Sequence, residues 1–188
     1  FGHQHNDKLH LSVHAHGRDL LVDNGRFTYN PKLKKDWYFQ YIVHSRAHNT
    51  VLIDGKSQEH YPMGVTSPHP YALRHPRLDL ARGTYAGGYR MRPEAYYYQM
   101  ADEMTEIPNS RTQHTRATVY LRGLGWLVAD HVRAPGAHRI QPLWHFHPRV
   151  TVAADGDRGV VTTDAEAGNL RLTPIGDQDW ERSLVRGQ

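Results

Sequence analysis

The chain has 188 residues, enough for one sizeable domain. With no cysteine it has neither disulfides nor thiolate metal sites, and no apolar run nears the roughly 18 residues a membrane-spanning helix needs. The net charge of +4 is spread without the basic, aromatic-interleaved stripe of a nucleic-acid binder, so no nucleic-acid partner is expected.

The first seven residues, Phe1-Gly2-His3-Gln4-His5-Asn6-Asp7, hold two imidazoles and a carboxylate. If they belong to a strand, His3, His5 and Asp7 share one face. Imidazole nitrogen and carboxylate oxygen are ligands of a zinc-like ion. Fifteen histidines make HxH pairs common by chance, and His14/His16 and His145/His147 are two more. Leu9, Leu11, Val13 and Ala15 alternate with polar residues and predict a half-buried strand. Gly17-Arg18-Asp19 turns the chain into Leu20-Leu21-Val22-Asp23, and Asn24-Gly25 marks a second turn. Residues 26–40, with Pro31 and three lysines, read as a loop. Tyr41-Ile42-Val43 extends a short element, and Asn49–Ile53 is a strand ending at Asp54-Gly55.

Four prolines make residues 56–80 mostly irregular. Strands are predicted over 81–85 and 95–100 around Gly87-Gly88. Residues 115–122 and 126–132 form a hairpin across Gly123-Leu124-Gly125, and 143–147 form a strand closed by Pro148. Short strands follow at 149–154, 159–163 and 170–174. This succession predicts an all-β, antiparallel β-sandwich of stacked sheets, with residues 1–188 as one domain. The chain opens on the histidine cluster without a starting Met or a signal-peptide pattern, so it is expected to be a fragment truncated at both ends.

Asp23 follows an apolar triplet, where an unpartnered carboxylate would be costly to bury, and His48 precedes a buried-looking strand. His5, Asp23 and His48 together offer two nitrogens and one oxygen, leaving a fourth position open on a tetrahedral ion. The competing reading is that Asp23 caps the Asn24-Gly25 turn and His48 is a satisfied core histidine. His145 and His147 are read either as a second metal site or as a polar strand face. Arg111, Arg116 and Arg122 are read as surface residues or as grips for uronate or sulfate. Trp37, Tyr38, Tyr41 and the Tyr96–Tyr98 triplet are candidate sugar-stacking aromatics.

The succession Gly2-His3-Gln4-His5-Asn6-Asp7-Lys8-Leu9, a strand ending in Asp23 before a Gly turn, then Ala47-His48-Asn49-Thr50-Val51 and Asp54-Gly55, resembles the heparinase II/III-like polysaccharide lyases. The resemblance covers essentially the whole chain, most specifically its first 55 residues. It implies the C-terminal β-region of an enzyme whose N-terminal α/α toroid is missing here. It implies β-elimination on an anionic uronate polysaccharide of heparan sulfate or alginate type, and a periplasmic, cell-envelope or secreted location. Carried over by residue, it assigns His5, Asp23 and His48 to a structural zinc, His3 to the substrate-facing histidine, and Tyr41, with Tyr38 as rival, to a cleft tyrosine. The isolated fragment is then expected to be inactive or nearly so. A non-catalytic carbohydrate-binding sandwich is the alternative. A cupin-like metalloenzyme fits poorly, because Lys8-Leu9-His10 stands where its Glu would be.

Overall fold

A computed structural model describes residues 5–26, 30, 32, 37–59, 71–91, 112–165, 168–176 and 179–186. The protein is all-β, in antiparallel sheets, as the turn-punctuated periodicity predicts. It divides into two compact units: residues 1–11 with 23–144, and residues 12–22 with 145–188.

The smaller unit holds the hairpin β1 (Val13–Ala15) and β2 (Arg18–Leu21). His16 and Gly17 both take positive φ, the two-residue turn that suits the natural twist of a hairpin. The same unit contains a three-stranded sheet, labelled in chain order β11 (Val152–Asp155), β12 (Gly159–Thr162) and β13 (Arg171–Leu172). Leu20, Leu21, Val13, Val160 and Leu170 are its buried apolar residues.

In the larger unit β3 (Val51–Ile53) pairs with β10 (Ile140–Pro142), and β4 (Ser57–Gln58) pairs with β7 (Tyr89–Met91). A four-stranded sheet runs β5 (Tyr71–Arg74), β6 (Leu78–Tyr85), β8 (Gln113–Leu121), β9 (Gly125–Arg133). Val51, Ile53, Tyr85 and Tyr89 form a core cluster, flanked by Leu9, Val132 and Ile140. On β8 and β9 a buried polar network lies beside it. His114 donates Nε2–H to Asp130 Oδ1 (2.7 Å), and Arg116 grips both Asp130 oxygens through Nε (2.8 Å) and Nη2 (3.0 Å). Burial alone would raise the Asp130 pKa, but the bonds from His114 and Arg116 outweigh it and bring it down to about 2.

Four stretches differ from their sequence reading. Only Val13–Ala15 of the predicted 9–15 strand is a strand, because Leu9 takes φ 65° in a turn and the chain before it pairs with side chains rather than a ladder. Residues 37–40, read as loop, begin helix α1 (Trp37–Val43), which has no Gly or Pro and buries Ile42 and Val43. Residues 56–80 contain β4, β5 and the start of β6. The proline count misleads there because β5 is exposed throughout and shows no burial alternation. The strand placed at 143–147 is instead β10, ending on Pro142, where a missing N–H is tolerated; Phe146 makes one isolated bridge to Leu21. The predicted strand 95–100 lies outside the described residues.

Two predictions follow from packing and charge. Ile53→Ala should cost about 2–5 kcal/mol in urea unfolding, whereas Leu124→Ala, in the exposed β8–β9 turn, should stay within about 0.5 kcal/mol. Because the Asp130 pKa is depressed on folding, its stabilisation is complete above about pH 4 and disappears as pH falls through about 2. Urea titrations across that window should show this acid limb in the native chain and a flatter one in Asp130→Asn.

Candidate functional site

The segment His5–His10 is neither helix nor strand, so its backbone polar groups need other partners. Buried polar side chains from the Ser45–Ala47 3₁₀ turn, from Thr50 and from β4 supply them. Asn6 donates its N–H to Val43 O (2.9 Å), and Ser45 Oγ donates to Asn6 O. Gln58 accepts Lys8 N–H at Oε1 and returns Nε2–H to Lys8 O, both at 2.9 Å, and Thr50 Oγ1 donates to the same carbonyl (3.0 Å). Ser57 Oγ accepts Ser45 N–H at 2.7 Å. Each of these residues except Lys8 is buried. This polar scaffold holds the histidine-bearing loop rigid where a ladder is absent.

His48, following the 3₁₀ turn, is fully buried. Asp23 Oδ2 lies 2.8 Å from its Nδ1, and Asp23 Oδ1 accepts Gly25 N–H at 2.6 Å. The turn-cap reading of Asp23 is thus met by one oxygen, while the other oxygen pairs with His48. The His48 bond, opposed by partial burial and helped by Gly25, keeps the Asp23 pKa well below the usual carboxylate range. An ionised carboxylate only accepts, so His48 Nδ1 carries a proton, and Nε2 is the nitrogen left for a metal. That Nε2 is buried with no hydrogen-bond partner among the described residues.

Around His48 stand two groups of potential metal ligands, each with its donor atoms within 4.8 Å of one another: His5, Asp7 and His48, and His10, Asp23 and His48. These are the metal-competent groups among the described residues, and His48 is common to both. The His5 and His48 rings lie 5.4 Å apart, those of His10 and His48 5.8 Å apart. Burial, reinforced by His48, lowers the His5 pKa against the opposing pull of Asp7 and Asp23, and burial lowers that of His10 despite Asp23. Neutral imidazoles are the form a metal requires. His10 Nδ1 accepts Asn49 N–H (3.0 Å) and lies 3.5 Å from Asp23 Oδ2.

The expected trio is therefore split: His48 groups with His5 and Asp7 on one hand and with Asp23 and His10 on the other. Asp7 was legible in the opening motif, but His10 was obscured by the alternating pattern that assigned it to a strand. Lys8 was also missed. Its ammonium donates to His5 O (2.8 Å), and burial, partly offset by Asp7, pushes its pKa down to about 8.

His3, Arg111 and Tyr96–Tyr98 lie outside the described residues. Tyr41 is half-buried on α1, packed against Ile42 and Val43, with its ring 6.5 Å from exposed Tyr38. Burial raises its hydroxyl pKa, although Arg46 pulls the other way. One arginine departs from the sequence reading: Arg116 is buried rather than at the surface. Arg122 is exposed, as the surface reading has it, and bonds both oxygens of Asp79 at 2.7 Å. His145 and His147 belong to neither metal-competent group, and His147 Nδ1 accepts Arg149 N–H at 3.2 Å.

In metal-free protein, Asp23→Ala should cost about 1–3 kcal/mol, because it leaves the buried His48 N–H unpaired. Asp23→Asn, whose amide oxygen still accepts, should cost less. Chemical unfolding in the presence of a chelator would rank the two variants.

The fold is similar to that in the crystal structure of a heparan sulfate lyase HepC mutant from Pedobacter heparinus, with a TM-score of 0.67 at 16% identity. The match covers 89% of this chain and 22% of that one, so the chain spans about a fifth of the lyase it resembles. No curated protein matches the sequence. The family described as heparinase II/III-like, C-terminal, matches residues 1–184. On that near-complete match, the chain belongs to the heparinase II/III-like family and represents its C-terminal region.

Proposed function

We propose that the chain is the zinc-bearing β-region of a polysaccharide lyase that cleaves a uronate polymer by β-elimination, acting together with a companion α/α toroid. The observation that carries the metal half is the His48 imidazole: fully buried, held by Asp23 through Nδ1, and with Nε2 unpartnered among the described residues, near two more histidines and two carboxylates. A mixed nitrogen and oxygen donor set fits zinc. His5, Asp23 and His48 would hold the ion, with Asp7 and His10 within reach. When bound, the ion would tie the loop ends together without entering the chemistry. A simple sugar-binding sandwich would have no use for such a cluster.

For the reaction, the carboxylate next to the C5 proton must be neutralised before a base can remove that proton, and an acid must then protonate the departing C4 oxygen. His3 is proposed to face the substrate as base or neutraliser. Tyr41, with its pKa raised by burial, is protonated at neutral pH and suits the acid step. The toroid would supply the remaining groups, so the module alone should be inactive. The substrate is proposed to be of heparan sulfate or alginate type, and the location periplasmic, cell-envelope or secreted. No helix among the described residues is long and apolar enough to cross a membrane.

Elemental analysis tests the metal. About one zinc per chain is expected, lost in His48→Ala and Asp23→Ala with a lower melting temperature. A well-folded native chain free of metal would remove the zinc assignment. The chemistry is tested separately in the toroid-containing protein, by the ultraviolet absorbance of an unsaturated uronate product. His3→Ala should lower that rate about 10²–10⁴-fold. Unchanged turnover would remove His3 from the reaction.

A further inference from the structure

Arg116 is 4% exposed on β8, yet its guanidinium reaches the backbone of the two segments that carry His10 and His48. Nε and Nη2 are committed to Asp130, which His114 holds in turn from Nε2; His114 Nδ1 lies 3.3 Å from the Tyr89 hydroxyl. The remaining nitrogen, Nη1, donates to two carbonyls: Leu9 O at 2.8 Å and Asn49 O at 2.6 Å. One of these residues directly precedes His10, and the other directly follows His48. The guanidinium also lies 5.4 Å from the Trp144 ring centroid, a favourable cation–π position.

Leu9 is held from a second side. It takes φ 65°, a conformation unfavourable for a residue with a Cβ. Its side chain lies over Gly83, the β6 residue opposite Arg116, where an added Cβ would come within 2.8 Å of Leu9 Cδ2. The backbone between Asp7 and His10 is thus pinned to the sheet by a carbonyl bond and by close packing over a glycine. Asn49 completes the link, giving N–H to His10 Nδ1 and its side-chain amide to Leu11 O (2.8 Å).

We infer that Arg116 is a positioning residue for the histidine cluster, its Nη1 setting the spacing between the segment that presents His10 and the segment that presents His48. Four of the five guanidinium donors are used, in three directions, which a fork can do and an ammonium cannot. Asp130, directly opposite on β9, fixes the fork, and His114 fixes Asp130. The inference deepens the metal reading and rests on it for its zinc readout, but the positioning of the imidazoles is independent of any ion.

The test uses Arg116→Lys and Asp130→Asn, read in two ways. Nitrogen-15 and proton NMR of the metal-free chain reports the His48 Nδ1–H held by Asp23, and chelator competition reports zinc affinity. Expected in either variant, with strand amide dispersion retained, are a shifted or lost His48 Nδ1–H signal and zinc affinity reduced at least about tenfold. A folded variant with an unchanged His48 signal and zinc affinity within about twofold of native would overturn the inference. If the native chain takes up no zinc while the His48 signal still responds to Arg116→Lys, the positioning role stands and the zinc assignment falls. Should both variants unfold, the native protein decides. Slow exchange and hindered rotation of the Arg116 Nη1 protons support the inference, and a freely rotating group overturns it.

Discussion

A backbone without a ladder cannot be buried unless something else satisfies it, and the His5–His10 segment is such a backbone. Its carbonyls and amides are met by Gln58, Thr50, Ser45 and Arg116, side chains that the surrounding fold places at fixed positions. The same arrangement places polar side chains in the interior. In the larger unit Asn6, Ser45, Asn49, Thr50, Ser57 and Gln58 occupy interior positions that leucine or valine would ordinarily fill. Such an interior gains less from burial than an apolar core, but its hydrogen bonds are directional and select one geometry.

That geometry gives Asp23 and His48 their relation. One carboxylate shapes the Asn24-Gly25 turn and also orients an imidazole, so the turn and the site are built from the same atom pair. Turn capping and imidazole pairing need separate acceptors, and the two carboxylate oxygens supply them. Because the pairing engages Nδ1, Nε2 is the His48 nitrogen without a hydrogen-bond partner among the described residues.

The sequence was legible where local rules dominate. The Asn24-Gly25 and Asp54-Gly55 turns, the β8–β9 hairpin and the strand after His48 could all be read from spacing and turn chemistry, and together they carried the all-β class. The cluster was partly legible, since its members sit at turn and strand boundaries. What could not be read depends on distant partners. Leu9 looks like a strand residue until Gly83, 74 positions on, accepts its side chain. Arg116 looks like one surface arginine among many until Asp130 and two remote carbonyls claim it. Helix α1 was hidden by a polar, lysine-bearing approach that gave its short aromatic stretch no helical signature.

The double donation from Arg116 has a consequence for how such a site can be transplanted. A designer who copied His5, His10, Asp23 and His48 onto another β-scaffold would carry the side chains but leave behind the atom that spaces them. The local motif is a parts list, while its dimensions are stored more than sixty residues away, on a strand that contributes none of those side chains. The graftable unit is therefore the loop pair together with the β8–β9 ribbon, and a shorter transplant would have to reinvent the staple before its imidazoles could converge.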